Sequence, residues 1–233
     1  MTIIYEPKGR AGEYCKLAAN LYRGCGHGCK YCYAPGALRM NPASFHEDPV
    51  PRKDVIQKLE KQLKKQSFTG PVLLCFSCDP YQPINDDHDL TGQAIRLLKK
   101  HNLNIEILTK GGARVEKDLK KMESWDRLGV TLTFINNADS LEWEPEAAPP
   151  EKRIALLKKA KQLGIKTWVS LEPVIDPAQT FEIIRQTHDF VDLFKVGKLN
   201  YHPHAKTINW RNFTIRIVEL LNNYNWTKPL TRW

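Results

Sequence analysis

Apolar residues recur along this chain in two alternating rhythms. The β-branched runs PVLLCFS (71–77), NIEILT (104–109), GVTLTFI (129–135), KTWVSLE (166–172) and VDLFKVG (191–197) read as buried strands, and CKLAANLY (15–22) as a first one. Between them the spacing turns helical. Val55, Ile56, Leu59 and Leu63 share one face of a helix predicted over 53–66, and further helices are expected over 90–101, 114–124, 151–163, 178–187 and about 211–223. Asp89 is placed to cap the helix after it, Gly129 and Gly164 stand where helices should stop, and Pro149 and Pro150 suit the start of another. Six strands, each feeding a helix, predict parallel pairing with right-handed crossovers. The pattern leaves two closures open, a doubly wound sheet or a curved partial barrel. Both put the working residues just beyond the C-terminal strand ends. No linker divides the 233 residues, so one domain over 1–233 is expected.

Composition adds a compartment. No window approaches the run of about 18 apolar residues that a membrane span needs. The opening MTIIYEPKGR lacks the apolar stretch of a secretory signal, so a cytoplasmic location is expected. In a reducing compartment Cys15, Cys25, Cys29, Cys32, Cys75 and Cys78 read as thiols or metal ligands rather than disulfides. The net charge of +9 is concentrated over 1–70 and 151–233, while 71–150 is acidic. Such a chain attracts phosphates, yet lysines such as Lys61, Lys64, Lys99 and Lys158 also suit outer helix faces. Charge alone leaves the substrate open.

The segment LYRGCGHGCKYCYAP is more specific, because it sets three cysteines as Cys25-x3-Cys29-x2-Cys32. Three thiols so close together are a metal or cluster loop, and Gly24, Gly26 and Gly28 free its backbone to wrap around an inorganic core. Structural zinc usually takes four protein ligands. The pair Cys75-x2-Cys78 offers only Cys78 at a strand mouth, so three cysteines suit a four-iron cluster with one open iron. His27 lies inside the loop and could ligate, but is expected as a solvent-facing turn residue.

With an aromatic, Tyr31, before the last cysteine, the string NLYRGCGHGCKYCY resembles the radical S-adenosylmethionine superfamily, and within it the spore photoproduct lyase-like branch of DNA repair enzymes. The resemblance implies a partial (β/α)6 TIM-like barrel with its cluster loop over 23–35. It implies a 4Fe-4S cluster on Cys25, Cys29 and Cys32 whose open iron binds S-adenosylmethionine. Reductive cleavage of that cofactor to a 5′-deoxyadenosyl radical, which abstracts a substrate hydrogen, would then be the chemistry.

The remaining candidates follow by strand end. In the superfamily the end of the second strand meets the amino group of S-adenosylmethionine, which makes Ser77, Cys78 and Asp79 cofactor neighbours, with Asp79 able to accept from an ammonium. Tyr31 joins them from the loop, and Lys110, ending the third strand, matches a lysine that binds the cofactor carboxylate. Ser170 and Glu172 alternate with apolar residues and should both point into the barrel mouth. A carboxylate there needs a partner, for which Lys195, Lys198 or the cofactor ribose would serve. By analogy with the lyase, Cys78 is the expected hydrogen donor, with Cys75 close by and Tyr33 as a second catalytic candidate. His202 and His204 follow the sixth strand, as substrate contacts or as surface residues.

The branch also implies a flavodoxin or ferredoxin-type electron donor and a DNA or RNA partner. The C-terminal mixture of Lys206, Trp210, Arg211, Phe213, Arg216, Tyr224, Trp226, Arg232 and Trp233 fits nucleic-acid contact, or an amphipathic helix whose Phe213, Ile217, Leu220 and Leu221 close the barrel. The alternatives are radical modification of a peptide or small molecule, and a non-catalytic zinc or nucleic-acid-binding module.

Overall fold

A computed structural model describes residues 2–199, 202–224, 226 and 230–232. Strands β1 (Ile4–Tyr5) and β2 (Leu17–Ala19) pair antiparallel, and β3 (Tyr22–Arg23) leads into the cysteine loop. Helices α1 (Ala34–Leu38) and α2 (Pro42–Glu47) return the chain to β4 (Val50–Pro51), which pairs with β3 in a separate ribbon. Helix α3 (Val55–Lys65) precedes β5 (Val72–Leu74), then come α4 (Asn85–His88), α5 (Leu90–Lys100) and β6 (Ile105–Thr109). A 3-10 turn over Gly112–Val115 runs into α6 (Glu116–Leu119) before β7 (Arg127–Thr131), α7 (Asn137–Trp143) and α8 (Pro150–Gln162). The chain closes with β8 (Lys166–Val174), α9 (Pro177–Thr187), β9 (Leu193–Lys198), α10 (Trp210–Asn223) and β10 (Leu230–Arg232).

The main sheet has the order β1-β2-β5-β6-β7-β8-β9-β10, and every pairing from β2 to β10 is parallel. Parallel pairing needs crossovers, and α3, α5, α8 and α9 supply them by burying one face each: Val55, Leu59 and Leu63 in α3, Phe181, Ile183 and Ile184 in α9. One set of contacts shows that the sheet curves. Tyr14, just before β2, donates its hydroxyl to Glu172 on β8, and its ring lies 3.9 Å from the Lys195 ammonium on β9. Four strand steps of about 4.8 Å would hold β2 and β8 roughly 19 Å apart in a flat sheet, beyond the reach of any side chain. The sheet is therefore curled into a partial barrel with Tyr14, Trp168 and Lys195 in its lumen.

Several local expectations change. The first predicted strand divides into β2 and β3, which belong to different sheets. Gly129 stops no helix: it lies within β7, where a Cβ would sit 2.2 Å from the Trp168 indole on β8. The helix expected over 114–124 is reduced to a 3-10 turn and the single turn of α6. Asp89 begins α5 in a left-handed conformation (φ 44°) without a side-chain cap, and its carboxylate faces Lys117 and Arg96 instead. Beyond the six expected strands, β10 adds a further parallel strand beside β9. Helix α10 behaves as its pattern predicts, burying Phe213, Ile217 and Leu221.

Candidate functional site

The loop after β3 owes its path to positions that only glycine suits. Gly24 has φ 86°, and a Cβ there would lie 2.7 Å from the Phe45 carbonyl. That carbonyl instead accepts from Cys25 N at 2.9 Å, while Gln82 grips the loop on both sides, accepting from Gly26 N (2.8 Å) and donating to Gly24 O (3.2 Å). Segment 143–146 fastens the other edge: Lys30 N donates to Trp143 O (2.9 Å) and Glu146 N to His27 O (3.2 Å). Helices α1 and α2 cover the result, with Ala34, Met40 and Phe45 packed on Cys25, Cys32 and Cys78.

Cys25, Cys29 and Cys32 are all free thiols. Burial pushes Cys25 well above its ordinary value, Cys29 to about 12 and Cys32 upward as well. Thiolates here therefore need a strongly cationic body beside them, as metal ligation supplies. Two further observations fit a bound group. His27, expected in solvent, is 1% exposed, and its Nε2 is buried without a hydrogen-bond partner. Lys110 makes no ion pair among the described residues; its ammonium lies 5.5 Å over the Tyr31 ring. Burial opposes that charge, yet Cys29 and Glu144 hold its pKa above the usual lysine value.

The strand ends assemble the rest. Asp79, after β5, accepts from Tyr81 N (2.8 Å) and the Thr109 hydroxyl (2.7 Å) on one oxygen, and from Lys110 N (2.7 Å) on the other, with His27 Nδ1 at 3.4 Å. Both of its oxygens are engaged internally, so Asp79 ties the β5 and β6 ends to the loop. Burial opposes its ionised form, but His27 and these donors prevail and hold its carboxyl at about 2. Ser77 is fixed through its amide, which donates to Asn20 Oδ1 at 3.0 Å. Cys78 lies where the core and the loop cluster meet, its thiol 3.8 Å from Tyr22 O. Tyr33 is 58% exposed at the mouth, its ring 6.4 Å from that of Phe76.

On the far wall, Glu172 takes the hydroxyls of Tyr14 and Ser170, the latter at 3.0 Å. Ser170 and Glu172 thus share the lumen as their alternation implies, but neither expected lysine pairs with Glu172. Lys195 is 4% exposed between the rings of Tyr14 (3.9 Å) and Trp168 (5.1 Å), where burial lowers its pKa, partly offset by Glu106 and Glu172. Lys198 leaves the group altogether: it is exposed over Trp210. His204 donates from Nε2 to Ile175 O at 2.8 Å and, with His202, packs on Trp143, so these two build a wall rather than standing alone on the surface.

Sequence reasoning missed a buried network behind Tyr31. The Tyr31 hydroxyl meets Glu144, whose other oxygen lies 2.6 Å from Arg153 Nη1, and both charged residues are fully buried. Arg153 also donates to the carbonyls of Thr131 (2.9 Å) and Ala148 (2.6 Å). Arg153 shares the helical stripe of Leu156, Leu157 and Ala160, but its charge in a helix rich in surface lysines disguised it as an exposed residue.

With this geometry in view, comparison with known proteins is informative. Residues 19–191 match the family model of the radical SAM superfamily. An uncharacterised protein of Methanocaldococcus jannaschii is 30% identical over 189 residues, covering 79% of this chain and 71% of its own length. Among solved structures, a cysteine-to-serine mutant of spore photoproduct lyase superimposes with TM-score 0.64 at 18% identity over 89% of this chain. SuiB of Streptococcus suis, bound to S-adenosylmethionine, superimposes with TM-score 0.63 at 12% identity over 93%. The chain spans 62% and 50% of those two proteins. At such identities they show the fold alone: a partial TIM-like barrel of mixed α/β type.

Proposed function

This chain belongs to the radical SAM superfamily, enzymes that use a 4Fe-4S cluster and S-adenosylmethionine, and from that premise we propose that Cys25, Cys29 and Cys32 hold the cluster and that the substrate is a nucleic-acid component. When bound, the reduced cluster supplies the electron that cleaves S-adenosylmethionine to methionine and a 5′-deoxyadenosyl radical able to take a substrate hydrogen. The chain's residues place and shield that event. Lys110, an ammonium beside Cys29 that makes no ion pair among the described residues, binds the methionyl carboxylate. Asp79 and Ser77 fix the strand end that carries Cys78. Tyr31 braces the loop through Glu144, and Ser170, Glu172 and Lys195 line the mouth with Tyr33. Tyr14, Phe76 and Trp168 pack around them, keeping water from the reactive region.

The observation that carries the reading is the meeting of three free cysteines, Lys110 and Cys78 at adjoining strand ends. Cys78 gives its hydrogen atom to the product radical: the S–H bond breaks as the new C–H bond forms. An electron from the flavodoxin or ferredoxin-type donor and a proton then restore the thiol. The nucleic-acid assignment is supported by the net charge of +9 and by the lyase's fold, whose mutant form has been seen with AdoMet and a dinucleoside spore photoproduct. Part of the C-terminal aromatic and basic mixture is already spent on packing. Arg216 covers Phe181 at 4.6 Å, Trp210 packs on Phe213 and Tyr224 stacks on His188, while Trp233 lies outside the described residues. Phosphate contact then falls to exposed residues such as Lys206 and Arg211.

The deciding experiment is anaerobic reconstitution with iron and sulfide, then reduction and assay of 5′-deoxyadenosine from S-adenosylmethionine. The wild type is expected to carry four irons and cleave the cofactor, and Cys29→Ala to do neither. A wild type that holds zinc, or that binds a cluster without cleaving the cofactor, would refute the assignment.

A further inference from the structure

Among the described residues with a buried, unpartnered side-chain polar atom, His27 alone lies in the cysteine loop. It is two residues from both Cys25 and Cys29, 1% exposed, and fixed at both ends. Its carbonyl accepts from Glu146 N at 3.2 Å, and its ring nitrogen Nδ1 faces Asp79 Oδ2 at 3.4 Å. Asp79 is in turn held by the Thr109 hydroxyl and the Lys110 amide, so the imidazole is oriented by the strand ends that carry the cofactor residues. A carboxylate on one ring nitrogen fixes the ring's orientation and so what the other nitrogen, here left facing inward, can meet. Closing off a ring nitrogen from water without a partner costs free energy, and the chain offers it none.

We propose that His27 is a positioning residue of the cluster: Asp79 sets its ring, and Nε2 meets the sulfurs of the cluster held by the flanking cysteines, leaving the open iron to S-adenosylmethionine. Such a contact tunes the cluster electronically and locks the loop to the β5 and β6 ends at once. It couples the placement of Lys110 to that of the inorganic core. The inference rests on the cluster assignment and not on the nature of the substrate.

Three substitutions separate the two ring nitrogens. His27→Asn can keep a contact near Nδ1 to Asp79, His27→Gln can reach the Nε2 position, and His27→Ala keeps neither. Each variant is reconstituted anaerobically and measured without S-adenosylmethionine for iron content, for cluster midpoint potential by redox titration, and for the reduced-state electron paramagnetic resonance spectrum. We expect Ala and Asn to shift the potential and the spectrum, and Gln to restore them in part. If Ala holds no cluster, Gln should retain more iron than Asn. The proposal is overturned if Asn restores wild-type behaviour and Gln does not, if all three match the wild type, or if differences arise only once S-adenosylmethionine is added. A wild type without four irons would refute the cluster assignment itself, whereas a four-iron wild type with indifferent His27 variants refutes only this role.

Discussion

Four donors close on the Asp79 carboxylate, so its ionised form belongs to the folded state. Its carboxyl is held at about 2, against roughly 3.9 in an unfolded chain. A depressed folded-state value stabilises the fold above the unfolded value, and that stabilisation disappears as pH falls toward the folded one. The gap corresponds to about 3 kcal/mol, lost in the metal-free protein between about pH 4 and pH 2. Asp79→Asn should be less stable at neutral pH and show a shallower acid limb, checked by urea unfolding at several pH values. The Arg153–Glu144 pair makes a larger demand, since both partners are fully buried. Arg153→Ala leaves Glu144 as an uncompensated buried charge and should cost about 3–5 kcal/mol in denaturant unfolding. At this scale the sequence singled out the cysteines, Lys110 and Glu172 as candidates because their residue types and strand-end positions are informative. It did not reveal Arg153, His27 or Tyr14, whose partners are 9, 52 and 158 residues away and are brought in by packing.

Elements with one buried face were legible, and those defined by a single contact were not. Helices α3, α5, α8, α9 and α10 fall within one or two residues of their predicted spans, because each buries a stripe that repeats with the helical period. Helices α1, α2 and α7 are too short to show a period, and β1 and β10 exist only through their neighbours. Gly129 is the instructive case: its composition suggested a helix stop, while its function is to leave room on β7 for Trp168. Gly129→Ala should therefore destabilise by about 1–3 kcal/mol through overpacking. In a double-mutant cycle, the Trp168→Leu background should absorb most of that penalty. An equal loss in both backgrounds would mean that backbone freedom at residue 129, not the indole, is what matters.

For the whole molecule, the charge pattern and the barrel mouth lead to a prediction about partners. A chain of net charge +9 that acts on nucleic acid should bind an oligonucleotide with strong salt dependence. About six phosphate contacts would weaken binding roughly a thousandfold between about 50 and 200 mM salt. Salt-indifferent binding, measured by fluorescence anisotropy, would instead favour a peptide or small-molecule substrate. No helix among the described residues is long and apolar enough to cross a membrane. The sequence by itself determined the alternation of strand and helix, the parallel sheet and the three-cysteine loop, because periodicity, residue type and close spacing are local properties. Tertiary structure alone decided that the sheet curls, that Tyr14 reaches across it to Glu172, that Lys198 turns away while Lys195 enters the lumen, and that His27 is buried beside Asp79. Those outcomes depend on which distant side chains meet once the strands have closed around one another, and no local pattern encodes such meetings.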